Sequence, residues 1–114
     1  VLASANRLTS GRDIARVMTR GRYAVSGPLA AKALVTHAGR SRAVVVVSKK
    51  ISKKATVRNR IRRRLAAILA ERWATVTPGY DIVITVRADL AETPATKLAD
   101  YLDTALRQLG LTTN

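Results

Sequence analysis

Residues 49 to 64 hold the densest chemistry in the chain. Of these sixteen residues nine are Lys or Arg (Lys49, Lys50, Lys53, Lys54, Arg58, Arg60, Arg62, Arg63 and Arg64), and none is acidic. A guanidinium grips a phosphate bidentately and an ammonium acts on it as a point charge, so a one-signed cluster at this density suits a polyanion. Asn59, set among the arginines, can donate to and accept from a sugar or neighbouring backbone. A run of mixed charges usually reads as a solvated face. Here nothing inside the run offsets its self-repulsion, and nucleic acid is the better reading. Other chemistries find no footing. The absence of Cys excludes disulfides, thiol catalysis and Cys-ligated zinc. His37 is the sole histidine, with no second His or Cys near it for metal ligation, and reads as a surface loop residue. Asp81, Asp89 and Glu92 are loosely clustered and read as charge-balancing or turn-capping groups rather than a metal-dependent nuclease site. There is no glycine-rich phosphate loop. No catalytic and no metal-binding residue is assigned to the protein itself.

These side chains need a helix to present them. With Ser52 as N-cap, periodicity predicts a helix running to about Trp73, in which Val57, Ile61, Leu65, Ile68 and Leu69 share one face. Asn59, Arg60 and Arg63 point the opposite way, Arg58 and Arg62 lie on one flank, and Arg64 sits near the apolar border. Lys53 and Lys54 fall in the first turn of that helix, where the macrodipole disfavours cations by roughly a few tenths of a kcal/mol each. Phosphate would reverse the sign and also meet free backbone N–H groups.

The rest of the chain is read as scaffold. At 114 residues it is one domain, able to bury about two thirds of the surface its unfolded form exposes. The formal charge is +14, and fifteen of the twenty-one Lys and Arg lie between Asp13 and Glu71, where there is no acid. Five of the seven acids follow Trp73, so the electropositive footprint belongs to the first two thirds. With no Phe, one Trp and three Tyr, the core must be aliphatic. A first helix is capped by Thr9 or Ser10, with Asp13 in capping-box relation to Ser10, an apolar face of Ile14, Val17 and Met18, and a stop at Gly21. Tyr23 to Val25 reads as a short strand, Ser26-Gly27-Pro28 as a turn, and Leu29 to His37 as a second strand. Arg42 to Ser48, with four consecutive valines, reads as a third strand covered on both faces or nearly so. Thr77-Pro78-Gly79 turns the chain into a fourth strand, Tyr80 to Val86. A last helix has Thr93 as N-cap, Pro94 at its first position, a stripe of Leu98, Leu102, Ala105, Leu106 and Leu109, and Gly110 at its end. The order is α-β-β-β-α-β-α, an α+β domain with a four-stranded mixed sheet packed with helices. The apolar runs are far too short to span a bilayer and no export signal is evident, so the expectation is a cytoplasmic protein without a membrane partner.

Ser48-Lys49-Lys50, then Ala55, then Arg58-Asn59-Arg60-Ile61-Arg62-Arg63 resembles the signature of the protein subunit of bacterial ribonuclease P. Asn6-Arg7-Leu8, Arg12-Asp13, Val17, Gly21, Arg42 and Pro78-Gly79-Tyr80-Asp81 match it at flanking positions, and the element order agrees over nearly the whole chain. The resemblance implies an RNA-binding subunit that assists a catalytic RNA in removing the 5′ leader from precursor tRNA. The Mg²⁺ would be held mainly by the RNA, none would be held by the protein alone, and no obligate protein partner is implied. It also implies a left-handed crossover between the third and fourth strands, where general rules predict a right-handed one. Carried over by position, Lys49, Lys50, Lys53, Lys54, Arg58, Asn59, Arg60, Arg62 and Arg63 meet the RNA. A leader cleft between the first helix and the sheet would use Ile14, Met18, Lys32, Arg16 and Tyr23. There the chain departs from the family, which commonly has aromatics where Ile14 and Met18 stand. Apolar contact from these two, with Lys32 and Arg16 near phosphates, would substitute for stacking. The alternatives are a ribosomal protein or RNA chaperone of similar basic α/β fold, a DNA-binding protein, and a self-sufficient protein nuclease.

Overall fold

The computed structural model describes residues 2–112. After a 3-10 turn at Ser4–Asn6, the chain forms α1 (Gly11–Arg20), β1 (Arg22–Ser26), β2 (Leu29–Val35), β3 (Arg42–Val46), α2 (Ala55–Arg72), a second 3-10 turn (Trp73–Thr75), β4 (Tyr80–Val86) and α3 (Ala95–Gln108). The predicted order is observed. The sheet order is β1-β2-β4-β3, with β1/β2 and β2/β4 antiparallel and β3/β4 parallel. The last strand of the sequence is thus an inner strand, and α2 is the crossover that makes β3 and β4 parallel.

Alternation along the strands divides the sheet into two unequal faces. Ala24, Leu29, Ala31, Ala33, Ala43, Val45, Ile82, Ile84 and Val86 point to one side, where they bury against Ile61, Leu65, Ile68 and Leu69 of α2 and Leu98, Leu102, Ala105 and Leu106 of α3. The alanines let the helices sit close, and each fully buried Leu or Ile contributes about 1.5–3 kcal/mol. On the other side a smaller cluster of Leu8, Val17 and Val83, flanked by Ile14, Leu34, Val44 and Val46, lies beneath α1. One ten-residue helix cannot cover a four-stranded face, and Tyr23 and Val25 of β1 remain exposed there.

Several boundaries differ from the sequence reading. Ser52 does not cap α2; its Oγ accepts from the backbone N–H of Lys54 at 3.2 Å, so the helix starts after Lys54. α3 begins one residue later than predicted, with Pro94 at the N-cap position. β3 is buried on one face and half-covered on the other, near the coverage its valines predict, but it is an edge strand whose outer edge carries, among the described residues, only an isolated bridge from Arg7 to Ala43. Its Val44 and Val46 are half-buried. Ser10 does cap α1, accepting from Asp13 N–H at 3.3 Å. Gly21 ends α1 with φ −68°, so it needs no left-handed backbone. Glycine is required there by space: a Cβ would lie 2.5 Å from the Val17 carbonyl oxygen and 3.2 Å from that of Ala33.

Candidate nucleic-acid interface

The apolar stripe of α2 turns its charged residues outward as the periodicity requires. Asn59, Arg60 and Arg63 are exposed, and Arg58, Arg62 and Arg64 are half-buried on the flanks. Lys49 and Lys50 are exposed in the turn closed by Ile51 N–H to the Ser48 carbonyl. Lys53 and Lys54 precede the first turn of α2 rather than occupying it, and no side chain caps the helix start. The positive end of the helix is therefore open beside two exposed ammonium groups.

Several arginines are pre-set by the protein. Arg58 Nη1 donates to the Ser52 carbonyl at 2.9 Å, and Arg62 donates to the Asn59 side-chain oxygen. Asn59 thus aims an arginine as well as presenting its own amide. Arg60 Nε donates to the Ala91 carbonyl at 2.9 Å and its guanidinium stands 3.8 Å from Glu92, so it is partly engaged with the loop before α3. Arg64 is wholly turned to that loop, donating to the carbonyls of Leu90 (2.8 Å), Ala91 (3.0 Å) and Thr93. Its role as a clamp is invisible in the sequence, because the acceptors are backbone atoms 26 to 29 residues away. None of the ion pairs among the described residues involves Lys49, Lys50, Lys53, Lys54, Arg58, Arg62 or Arg63. Their charge is left for a partner.

The second surface lies on the open face of the sheet. Register places Tyr23, Lys32, Val83 and Val44 side by side across it, with Val25, Ala30, Thr85 and Val46 as the next row. Lys32 Nζ donates to the Met18 carbonyl at 2.7 Å, at the C-terminal end of α1, and lies 5.9 Å from the centre of the Tyr23 ring. Tyr23 is 60% exposed and Met18 39%. Ile14 and Met18 share one flank of α1 by helical spacing. The fold therefore brings Ile14, Met18, Lys32 and Tyr23 to the same side of the sheet, beside α1. Arg16 is not part of this group: it lies on the opposite flank of α1, 3.7 Å from Asp13.

The carboxylates are held for structural work. Arg42 binds Asp81 through two bonds, Nε to Oδ1 at 2.9 Å and Nη2 to Oδ2 at 2.7 Å, and reaches Asp13 on α1 at 3.3 Å. The hydrogen bond to Asp81 raises the Arg42 pKa above its ordinary value against the opposing effect of burial, so the guanidinium stays charged. This pair, with Asp81 buried and Arg42 half-buried, fixes the N-terminal half of α1 to β3 and β4. Asp89 Oδ1 accepts from Ala91 N–H at 3.0 Å, a turn cap. His37 is exposed in the loop after β2. Among the described residues no group of three or more His, Cys, Asp or Glu is placed to hold a metal ion. No described helix is long and apolar enough to cross a membrane.

Comparison with known proteins agrees with this geometry. The family described as Ribonuclease P matches residues 2–110. The ribonuclease P protein component of Beutenbergia cavernae is 33% identical over 111 residues, covering 97% of this chain and 93% of that protein. That of Clavibacter michiganensis subsp. michiganensis is 35% identical over 107 residues, covering 93% and 94%. Among solved structures, the RNase P protein of Staphylococcus aureus has a TM-score of 0.85 at 18% identity, covering 96% of this chain and 100% of that one. The RNase P protein of Thermotoga maritima has a TM-score of 0.80 at 24% identity, covering 90% and 96%. The structures speak for the α+β fold, and the near full-length sequence match for descent. The chain belongs to the ribonuclease P protein family.

Proposed function

We propose that the chain is the RNA-binding subunit of a ribonuclease P ribonucleoprotein, assisting a catalytic RNA in endonucleolytic removal of the 5′ leader from precursor tRNA. The observation that carries this reading is the outer surface of α2 and its entry loop, where Lys49, Lys50, Lys53, Lys54, Arg58, Arg62 and Arg63 have no acidic partner among the described residues. Such a surface gains by releasing counterions from RNA phosphates. Arg60 adds to it with the part of its guanidinium that the loop leaves free, and Asn59 orients Arg62. The open surface of Ile14, Met18, Lys32 and Tyr23 suits an extended single strand, the leader, with Lys32 near its phosphates and Tyr23 able to stack.

Catalysis falls to the RNA. Asp81 is paired with Arg42 and Asp89 caps the turn at Ala91, so neither is free to hold a metal as in a protein nuclease; Mg²⁺ would be held by the RNA, where it would supply activation of the attacking oxygen and stabilisation of the leaving one. The protein's field relieves repulsion between two polyanions, an effect that Mg²⁺ and monovalent salt share and therefore mask. The cytoplasm is the matching compartment. Reconstitution tests the reading: the isolated protein should leave precursor tRNA intact, and with the cognate catalytic RNA at low Mg²⁺ it should stimulate cleavage, the stimulation fading as Mg²⁺ and salt rise. Mature 5′ ends made by RNA-free protein would replace this reading with a protein nuclease, and copurification with ribosomal RNA alone with a ribosomal protein or RNA chaperone.

A further inference from the structure

Beside the basic surface of α2 lies a cavity of about 240 Å³ that shares only Arg62 with the helix motif and no residue with the leader cleft. It opens at the free edge of β3, between the N-terminal segment and α2. Leu8, Val45 and Leu69 form its apolar walls, Ala66 borders it, and Arg7 and Arg62 stand among its lining residues. Arg7 is steadied by donation from Nε to the Leu2 carbonyl at 2.9 Å, and Arg62 by the Asn59 side chain. Beyond the single bridge to Ala43, the outer edge of β3 has no strand partner among the described residues.

We propose that this cavity receives one unpaired nucleobase of the catalytic RNA, with the adjoining phosphates on Arg62 and Arg7; the inference rests on the RNA-binding reading above. Its size is about eight water volumes at roughly 30 Å³ each, below the range of about 300 Å³ and more typical of drug-sized ligands, and fits a flat ring. Apolar walls give bound water little to bond, while a base extruded from a loop or bulge gains contact and can turn its polar edge to the open strand edge of β3. The charge decides the class of occupant. The residues that line the cavity include two arginines and no acid, so an apolar ring that carries anions beside it is the complementary occupant. A nucleotide in a strand meets that description. A base held here would fix the register of the RNA along α2, which phosphate contacts alone leave free to slide.

Filling the cavity tests the proposal. Ala66→Leu and Ala66→Met place bulk in it from a helix position that tolerates both. With thermal unfolding showing each variant folded, affinity for the cognate catalytic RNA should fall about tenfold, as expected for loss of one seated base, with the slope of log K against log salt unchanged. Base-directed chemical probing should show a nucleotide protected by the wild-type protein and exposed by the variants. Wild-type affinity and an unchanged protection pattern in a folded Ala66→Leu protein would overturn the proposal while leaving the RNA-binding reading intact. Absence of RNA binding by the wild-type protein would instead end both. A third measurement does not depend on the filled variants folding. Because the chain has no Cys, Thr9→Cys can carry a photocrosslinker at the cavity. Crosslinks to an unpaired nucleotide are expected, and crosslinks confined to helical nucleotides would refute the idea.

Discussion

The two faces of the one sheet do opposite things with the same alternating strands. One is closed by α2 and α3 over an aliphatic core that includes Ile61, Leu65, Leu102 and Leu106, and this closure makes the outer surface of α2 convex, rigid and charged. The other is left open where α1 stops short, with Tyr23 and Val25 exposed and Lys32 anchored to the end of α1. A charged surface that binds through phosphate must weaken with salt; one that binds through bases should be much less sensitive to it. On the proposed function, this contrast would let a small domain address two parts of an RNA assembly without two domains.

The heaviest blow to this arrangement should come from inside the closed face. Ile61 is fully buried, and Ile61→Asp would bury an unpaired charge there. The cost should consume most of the about 5–15 kcal/mol that domains of this kind possess, so circular dichroism should show no cooperative unfolding at 25 °C. A native melting temperature would show that the phase assigned to α2 is wrong. Arg42→Ala comes next, because it leaves Asp81 buried and unpaired and releases Asp13 on α1. About 3 kcal/mol should be lost in urea denaturation, and α1 amides should exchange faster than those of α2. Equal exchange in the two helices would mean that the pair does not single out the open face.

Arg63→Ala and Lys50→Ala touch only the convex surface. Each should reduce the steepness of the salt dependence of RNA affinity by at most about 0.9, with stability within about 0.5 kcal/mol of wild type. Arg60→Ala should differ from both, because it also forfeits the Ala91 carbonyl and should cost about 1 kcal/mol of stability. Identical behaviour of Arg60 and Arg63 variants in both assays would remove the distinction drawn between them. The smallest change is Tyr23→Ala on the open face: binding of a leader-bearing precursor to the holoenzyme should weaken several-fold with an unaltered salt slope, and precursors without a leader should bind as before. A slope change there would mean that the open face also works mainly through charge.

How much of this could be read from the sequence depends on the range of the interaction. The buried face of α2 is encoded in spacings of three and four residues, and the strand faces in spacings of two, so both were legible. Helix starts were off by one or two residues because Ser52 bonds a backbone N–H before the helix rather than within it. Arg16, which the family resemblance assigns to the leader cleft, lies on the other flank of α1, 3.7 Å from Asp13. The pairing of Arg42 with Asp81 spans 39 residues and the Arg64 clamp ends on backbone carbonyls, so neither leaves a local pattern. The cavity bordered by Ala66 is likewise a product of three separate segments.

The position of β4 bears on how the protein is made. It pairs with both β2 and β3, yet it is the last strand in the sequence, so the sheet cannot close until residue 86 has left the ribosome. By then α1, the β1–β2 hairpin and the whole acid-free run through α2 have already emerged, and the apolar stripe of α2 has neither its sheet nor α3 to rest on. The nascent segment is therefore a strongly cationic, unfinished chain held beside the most abundant RNA in the cell. Late closure by non-local pairing is intrinsically slow. During that interval electrostatic capture competes with folding, and the acids carried after Trp73, Asp81 foremost, are the first counter-charges the chain itself supplies after Glu71.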